Sequence, residues 1–292
     1  MVRFGLIGAS GYIAPRHMEA IKNIDGELVT ILDPNDSVGV IDRYHPKSTY
    51  FSEYEWFDRE VDRLKRMGKG LDYISIASPN YLHDAHIRFA LKNGSHAICE
   101  KPLVLNPYSI SSLEELQIET GKKIYPILQL RLHQSIIDLK EKVGKKNNNR
   151  VELKYVTPRG KWYHYSWKGD DVKSGGIATN IGIHFFDMLL WIFGDIKNSY
   201  VSHHTNYSTD GYLELERANI DWSLSIDERD LPHNDWKAFR SIKVNDEEID
   251  FSDGFTDLHT KSYKKILNGN GFTLEDAKPA LELVHKIRNY KT

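Results

Sequence analysis

A doubly wound parallel α/β domain, followed by an α+β domain built on a large, mainly antiparallel sheet, is the fold this sequence of 292 residues predicts. Three observations predict it. Up to about residue 129, short β-type runs alternate with capped helical segments, the rhythm of repeated βαβ units. Beyond that point come long runs rich in Tyr, Val and Thr around one strong helical segment. The length suits two domains, each burying its own core, better than one oversized domain. The division is therefore placed at 1–129 and 130–292.

The elements follow in order. Strands are expected at "RFGLIG" (3–8), "ELVTILD" (27–33), "YFSEY" (50–54), "LDYISIAS" (71–78), "HAICE" (96–100) and "KIYPILQ" (123–129). A helix begins in "HMEAIKNI". The helix "NYLHDAHIRFALKNG" stops at Gly94. "NPYSISSLEELQIETG" starts with an Asn cap and Pro at its first position, and stops at Gly121. In the second half, "SIIDLKEKV" reads as helix and "GKKNNNR" as a solvated loop. A strong helix spans about Gly176 to Phe193, and "YLELERANIDWSLSID" reads as two strands turning at Ala218 and Asn219. "TLEDAKPALELVHKIRNY" closes the chain as a helix.

Composition excludes several functions. With 39 Lys and Arg against 41 Asp and Glu, the formal charge is −2, so no overall basic field exists to hold nucleic acid or an anionic membrane. The single cysteine, Cys99, rules out an intramolecular disulfide or a thiolate cluster and fits a reducing compartment. The N-terminus reads directly as a strand, without signal-peptide sections, and "IGIHFFDMLLWIFG" is short for a span and carries His184 and Asp187. The expectation is a soluble cytoplasmic protein.

The turn "GASGYIAPRH" (8–17) lies between a strand and a helix, the context in which backbone N–H groups and the helix dipole meet a pyrophosphate. Its spacing departs from G-x-G-x-x-G, and an ordinary strand-to-helix turn is the alternative. Gly8 and Gly11 would permit close approach, with Ser10, Tyr12 and Ile13 beside them and Ala14 packing on the sheet. Asp33 ends the second strand where a carboxylate accepts from the adenine ribose hydroxyls and repels a 2′-phosphate, which favours NAD over NADP. The competing role of Asp33 is to form the turn before Pro34, and Asn35 serves ribose or turn.

"SPNYLH" (78–83) follows the fourth strand, at the sheet edge where such folds bind ligands. Ser78, Pro79 and Asn80 line a cofactor there or cap the next helix. His83 and His86 have a spacing open to a metal, but no carboxylate partner is evident, so no metal is expected. "CEKPL" (99–103) places Glu100 and Lys101 at the same edge, before Pro102. A lysine fixed there can hydrogen-bond a substrate hydroxyl and, if partly desolvated, share in proton transfer. The cofactor set is therefore Gly8, Ser10, Gly11, Tyr12, Ile13, Asp33, Asn35, Ser78, Pro79, Asn80, His83, Glu100, Lys101 and, at the domain boundary, Gln129.

On the helix of "GGIATNIGIHFFDMLLWIFG", Asn180, His184, Asp187 and Trp191 form one stripe at i, i+4, i+7 and i+11. Polar groups inside an apolar helix are costly without partners, so the stripe faces a ligand or consists of satisfied core groups. In "TPRGKWYHYSWKGDDVKSGG", Arg159, Lys161, Lys168 and Lys173 interleave with Trp162, Tyr163, Tyr165 and Trp167. Such a segment suits a charged sugar or nucleotide diphosphate, or a solvated loop at a subunit interface.

These motifs, in this order and spacing, resemble the glucose-fructose oxidoreductase and inositol dehydrogenase (Gfo/Idh/MocA) family of NAD(P)-dependent enzymes, whose first domain is a Rossmann fold. "GYIAPRH", "CEKPL", "RGKWYHYSWKGD", "ATNIGIHFFDML" and "GFTDLHTKSY" are most similar to its branch of UDP-N-acetyl-2-amino-2-deoxyglucuronate dehydrogenases. The resemblance implies oxidation of a sugar C3 hydroxyl to a ketone, on the way to diacetamido-uronic acids of bacterial surface polysaccharide (O-antigen). It implies Lys101 and His184 as catalytic pair, and Lys101, Arg159, Tyr163, Trp167, Lys168, Asn180 and His184 as substrate contacts. It also implies a UDP-linked N-acetylated uronic sugar as partner, 2-oxoglutarate as an agent that reoxidises NADH, and a homotetramer. Asn180 departs from the aspartate most members carry there, as does the uronate branch. Oxidation of another sugar or cyclitol, an NAD-sensing protein without catalysis, and a resident-NAD elimination remain as alternatives.

Overall fold

The computed structural model describes residues 1–143, 146–233, 237–249 and 255–290. In chain order its elements are β1 Arg3–Ile7, α1 Ala14–Asn23, β2 Glu27–Leu32, α2 Ile41–Tyr44, β3 Thr49–Phe51, α3 Tyr54–Arg66, β4 Tyr73–Ile76, α4 His83–Lys92, β5 His96–Cys99, α5 Ser109–Thr120 and β6 Ile124–Pro126. There follow α6 Gln134–Val143, β7 Asn149–Val156, α7 Trp162–Tyr165, α8 Asp171–Ser174, α9 Ile183–Phe193, β8 Ile196–His204, β9 Ser208–Leu215, β10 Ala218–Ser225, β11 Phe239–Val244, β12 Glu247–Glu248, α10 Leu258–Leu267 and α11 Leu274–Arg288.

The chain folds into two compact units. From sequence it divides once, after Gln129; in the structure unit 1 comprises Met1–Leu128 and also Thr256–Ala277, and unit 2 comprises Gln129–Phe255 and Lys278–Thr292. The return segment carries α10, an amphipathic helix whose second partner no local pattern announces.

Unit 1 holds a parallel sheet in the order β3-β2-β1-β4-β5-β6. The order reverses between β1 and β4, so the carboxyl ends of β1, β2, β4 and β5 define a ligand edge. The central strands bury both faces: Phe4, Leu6, Ile31, Ile74, Ile76 and Ile98 are fully buried, each contributing about 2 kcal/mol of apolar transfer. Helix α1 turns Met18, Ala20 and Ile21 to this core, and α10 adds Tyr263 and Ile266.

The expected strands are all present, shortened at their ends. Of "YFSEY" only Tyr50 and Phe51 are strand, with β3 beginning one residue earlier at Thr49, because Tyr54 already starts α3. The Asn cap belongs to a turn ahead of the helix: Asn106 Oδ1 accepts from the Tyr108 N–H at 3.1 Å, and α5 starts at Ser109. It stops at Gly121, which is left-handed with φ 66°.

Unit 2 holds a sheet in the order β12-β11-β7-β10-β9-β8, antiparallel except where β10 runs parallel to β7. Alternation sends Val151, Leu153, Ile220, Trp222 and Leu224 to the buried face, and leaves Arg150, Lys154, Asn219 and Asp221 exposed. Nine of the eleven residues of α9 are buried, and Phe186 meets Trp222 edge to face at 5.2 Å. The chain's most apolar stretch is thus a core helix. Two expectations shift here. The hairpin turns at Glu216 and Arg217, since Ala218 and Asn219 already pair in β10. In the expected loop "GKKNNNR", Asn149 and Arg150 begin β7, held by Asn149 Nδ2–H bonds to the Lys146 and Arg217 carbonyls, while Gly144 and Lys145 lie outside the described residues.

Candidate active site

At the ligand edge of unit 1 the turn after β1 is set by Gly8. Its φ is +97°, and a Cβ would lie 2.5 Å from the backbone of Ala77 and Ser78, so the chain itself requires glycine. Gly11 differs. A Cβ there would meet only Ala77 O and Gly8 O at 3.5 Å, ordinary contact, so glycine leaves room that the chain does not use. That free approach to the start of α1 suits a pyrophosphate.

Asp33, 5% exposed, closes the other side of the turn. Its Oδ2 accepts from Ser10 N–H and Ser10 Oγ–H, and its Oδ1 from Asn35 N–H, each at 2.8 Å. The Tyr50 hydroxyl donates to the Asp33 carbonyl at 2.7 Å. The carboxylate is thereby oriented, with Ser10 as its support, and the residues present fit a dinucleotide whose ribose diol reaches Asp33. Tyr12 is 93% exposed and Ile13 half-buried beside them.

Ser78, Pro79 and Asn80 follow β4 as expected, with Pro79 entering a 3₁₀ turn over Asn80–Leu82. Ser78 Oγ pairs with His86 Nδ1 at 2.8 Å. His83 is enclosed: Nδ1 lies 2.7 Å from the Pro102 carbonyl and Nε2 2.8 Å from the Ser78 carbonyl. Burial lowers the His83 pKa against the pull of those carbonyls, and burial followed by the His83 charge lowers His86 to about 4. A neutral His83 donates to one of these two carbonyls, so its ring is enclosed between the loop after β4 and the loop after β5.

Glu100 likewise points inward. Its Oε1 sits 3.0 Å from His17 Nε2 and 2.8 Å from His259 Nε2, so its side chain is committed within unit 1 and leaves the cofactor edge to Lys101. Burial would raise its pKa, but the two histidine bonds and charges outweigh it and hold the carboxyl well below the ordinary 4.5. Lys101, next in the chain, is half-buried, and its bond to Pro102 is cis. Cys99 is fully buried, its thiol pKa pushed up by burial and by Glu100, and is chemically idle. His17, His259 and Tyr263 had no functional reading from sequence. Their signals are the segments "GYIAPRH" and "GFTDLHTKSY", which carry the family resemblance, and the i, i+4 spacing of His259 and Tyr263 on α10.

In unit 2 the structure gathers the substrate candidates of two segments. Asn180 Nδ2–H donates to the Tyr163 hydroxyl at 3.2 Å. Burial raises the Tyr163 pKa, opposed by that bond and by the charge of Arg159. Lys168 Nζ lies 5.4 Å from the Trp162 ring and 5.8 Å from the Trp167 ring, and burial followed by Arg159 lowers its pKa. Arg159 is exposed, and its backbone N–H is held by Ile226 O. Two cations, three aromatic rings and one amide therefore cluster. Gln129 opens a 3₁₀ turn in this unit.

The stripe of α9 divides. A π turn spans Ala178–Gly182, so Asn180 lies on a locally widened helix, and His184 follows in the first turn of α9, half-buried. Asp187 instead accepts from Arg131 Nε–H at 3.0 Å and Nη2–H at 2.7 Å, both side chains nearly enclosed. Trp191 receives Lys140 on its ring at 3.8 Å and on its carbonyl at 2.7 Å. Asp187 is thus committed within unit 2 and Trp191 is half-buried under Lys140, which leaves Asn180 and His184 as the candidates of the stripe.

A Rossmann unit with a buried aspartate at the end of β2 and a lysine after β5, in one chain with a cationic aromatic cluster in the second unit, defines a two-domain dinucleotide-dependent oxidoreductase. Residues 2–127 match the NAD-binding Rossmann domain of the Gfo/Idh/MocA oxidoreductases, and residues 146–216 match their C-terminal α/β domain. The chain belongs to this family and is an NAD-dependent oxidoreductase of CH–OH groups. It is 49% identical to the WlbA (WbpB) dehydrogenase of Thermus thermophilus, crystallised with NAD and alpha-ketoglutarate, over 100% of this chain and 96% of that one, with a TM-score of 0.97. A second crystal structure from that organism, with NAD and UDP-GlcNAcA, matches at 48% identity over the same shares and a TM-score of 0.96. The glucose-6-phosphate 3-dehydrogenase of Bacillus subtilis is 26% identical across 100% of this chain and 74% of its own length.

Proposed function

We propose that this protein oxidises the C3 hydroxyl of UDP-N-acetyl-2-amino-2-deoxyglucuronate to the 3-keto sugar, in the cytoplasmic biosynthesis of diacetamido-uronic acids for bacterial O-antigen. The observation that carries the substrate class is the cluster of Arg159 and Lys168 with Tyr163, Trp162, Trp167 and Asn180. A neutral cyclitol offers nothing to two cations, whereas a carboxylate and a diphosphate suit them. Near-half identity over the whole chain to a dehydrogenase crystallised with UDP-GlcNAcA supports the same choice.

Gly8, Gly11, Asp33 and the loop after β4 would hold NAD, which when bound supplies the two-electron acceptor the oxidation requires. The chain's own task is the hydroxyl proton and the charge left on oxygen. His184 is assigned as the base that takes the proton, imidazole being the side chain suited to that task near neutral pH, and Lys101 as the cation that polarises the same oxygen. Asn180 positions the sugar. 2-Oxoglutarate is assigned as the reoxidant of the cofactor, and the exposed polar face of the unit 2 sheet as the surface on which a homotetramer packs.

The test incubates the protein with NAD+ and UDP-GlcNAcA, with and without 2-oxoglutarate, and identifies the sugar nucleotide by mass spectrometry and NMR. A 3-keto product, in larger amount with 2-oxoglutarate, is the expected result. Oxidation of inositol alone reassigns the substrate, and tight binding without product reassigns the protein as a non-catalytic binder.

A further inference from the structure

Unit 1 buries a polar assembly that no step of the reaction uses directly. Glu100 is 6% exposed, His17 0%, His259 3% and Tyr263 0%. Both histidine Nε2 atoms converge on one carboxylate oxygen, and the two rings meet edge to face at 5.0 Å. His17 Nδ1 lies 2.7 Å from the Tyr263 hydroxyl, which lies 2.6 Å from Ser75 Oγ on β4.

Counting donors orders the protons from Ser75 to Glu100. An ionised carboxylate only accepts, so both Nε2 atoms donate to Glu100. A neutral His17 then has a bare Nδ1, to which Tyr263 must donate. The Tyr263 oxygen in turn accepts from Ser75. Donation runs one way, from Ser75 through Tyr263 and His17 to Glu100, with His259 arriving from the other side.

We propose that this assembly is a positioning device for Lys101: it pins Glu100, the residue directly before the lysine, to helices α1 and α10 at once. The inference rests on Lys101 being the catalytic lysine. Glu100 and Lys101 directly follow β5, and the carboxylate is buried while the lysine is half-buried. The residue after the lysine is enclosed as well, since the Pro102 carbonyl lies 2.7 Å from the buried His83 Nδ1. Lys101 is therefore gripped on both sides by histidines. Apolar packing would bury these residues as well, but hydrogen bonds from two helices to one oxygen also fix direction and distance. His259 reaches Glu100 from 159 residues further along the chain, so a segment outside the sheet's own sequence sets where the lysine stands.

Glu100→Asp and Glu100→Gln separate position from charge. Aspartate keeps the charge but is one methylene short of both histidines; glutamine keeps the reach and an acceptor oxygen. Initial rates with UDP-GlcNAcA and NAD+, calorimetric NAD affinity and thermal midpoints are measured for both, beside Tyr263→Phe and Lys101→Met. A lysine displaced by about 1 Å loses on the order of 100-fold in kcat, so Glu100→Asp is expected to show that loss with NAD affinity and KM within about threefold. Glu100→Gln and Tyr263→Phe are expected to lose roughly threefold to tenfold in kcat. A lower midpoint with wild-type kcat in Glu100→Asp makes the assembly purely structural and overturns the proposal, as does stoichiometric zinc in the purified protein by elemental analysis. Should Glu100→Asp not fold, full kcat in both Glu100→Gln and Tyr263→Phe overturns it. Turnover by Lys101→Met removes the catalytic lysine and this inference together, whereas its loss beside full activity in Glu100→Asp removes this inference alone.

Discussion

Gly8 and Gly11 stand three residues apart in one turn yet answer to different constraints. Gly8 is left-handed and pressed on the backbone of the neighbouring strand's exit, so Gly8→Ala should cost at least about 2 kcal/mol, visible as a lower thermal midpoint without any ligand. Gly11→Ala should leave that midpoint in place and weaken NAD about tenfold, roughly 1.4 kcal/mol by calorimetry. Wild-type NAD affinity in Gly11→Ala would withdraw the pyrophosphate from that position. From sequence both glycines, Asp33 and Lys101 are legible as a cofactor edge, because strand, turn and acidic spacing are local. The inward turn of Glu100 and His83 is not. Their partners His17, His259 and the Pro102 carbonyl come from other segments, and residue type alone does not say which way a side chain faces.

Within unit 2, α9 shows how periodicity informs and misleads at the scale of an element. The stripe of Asn180, His184, Asp187 and Trp191 is regular in sequence, but Asp187 is enclosed with Arg131 and Trp191 is covered by Lys140. A π turn under Asn180 leaves no mark in sequence, since its residues keep a helical pattern. The consequence for stability is testable. Asp187→Asn leaves the Arg131 charge enclosed without its carboxylate, and should destabilise unit 2 by about 3–5 kcal/mol. The double variant Arg131→Met with Asp187→Leu, which removes both charges, should cost much less. Urea unfolding of the three proteins decides, and an Asp187→Asn protein within about 1 kcal/mol of wild type would show the pair to be dispensable.

Across the whole molecule, the return of Thr256–Ala277 to unit 1 brings His259 and Tyr263 to a site begun by residues near the other end of the chain. Unit 1 also buries His17 and His86, which gives it a particular pH response. Burial first, with His259's charge adding and the Glu100 bond opposing, lowers the His17 pKa, and His86 falls to about 4, while both are 6.5 when exposed. Below pH 6.5 the unfolded chain therefore takes up protons that the folded chain refuses. Their contribution is complete above that pH and is lost as pH falls toward the folded values, at up to about 1.4 kcal/mol per unit for each histidine. Glu100 adds its own loss only below 4.5, where its unfolded carboxyl begins to protonate. The fall between pH 6.5 and 4.5 thus belongs to the histidines. His86→Gln is neutral at every pH and can still meet Ser78 Oγ, so it should flatten that fall by about 2 kcal/mol between pH 6.5 and 5. Thermal midpoints at constant ionic strength measure it, and the same slope in both proteins would mean that His86 takes up its proton in the folded state.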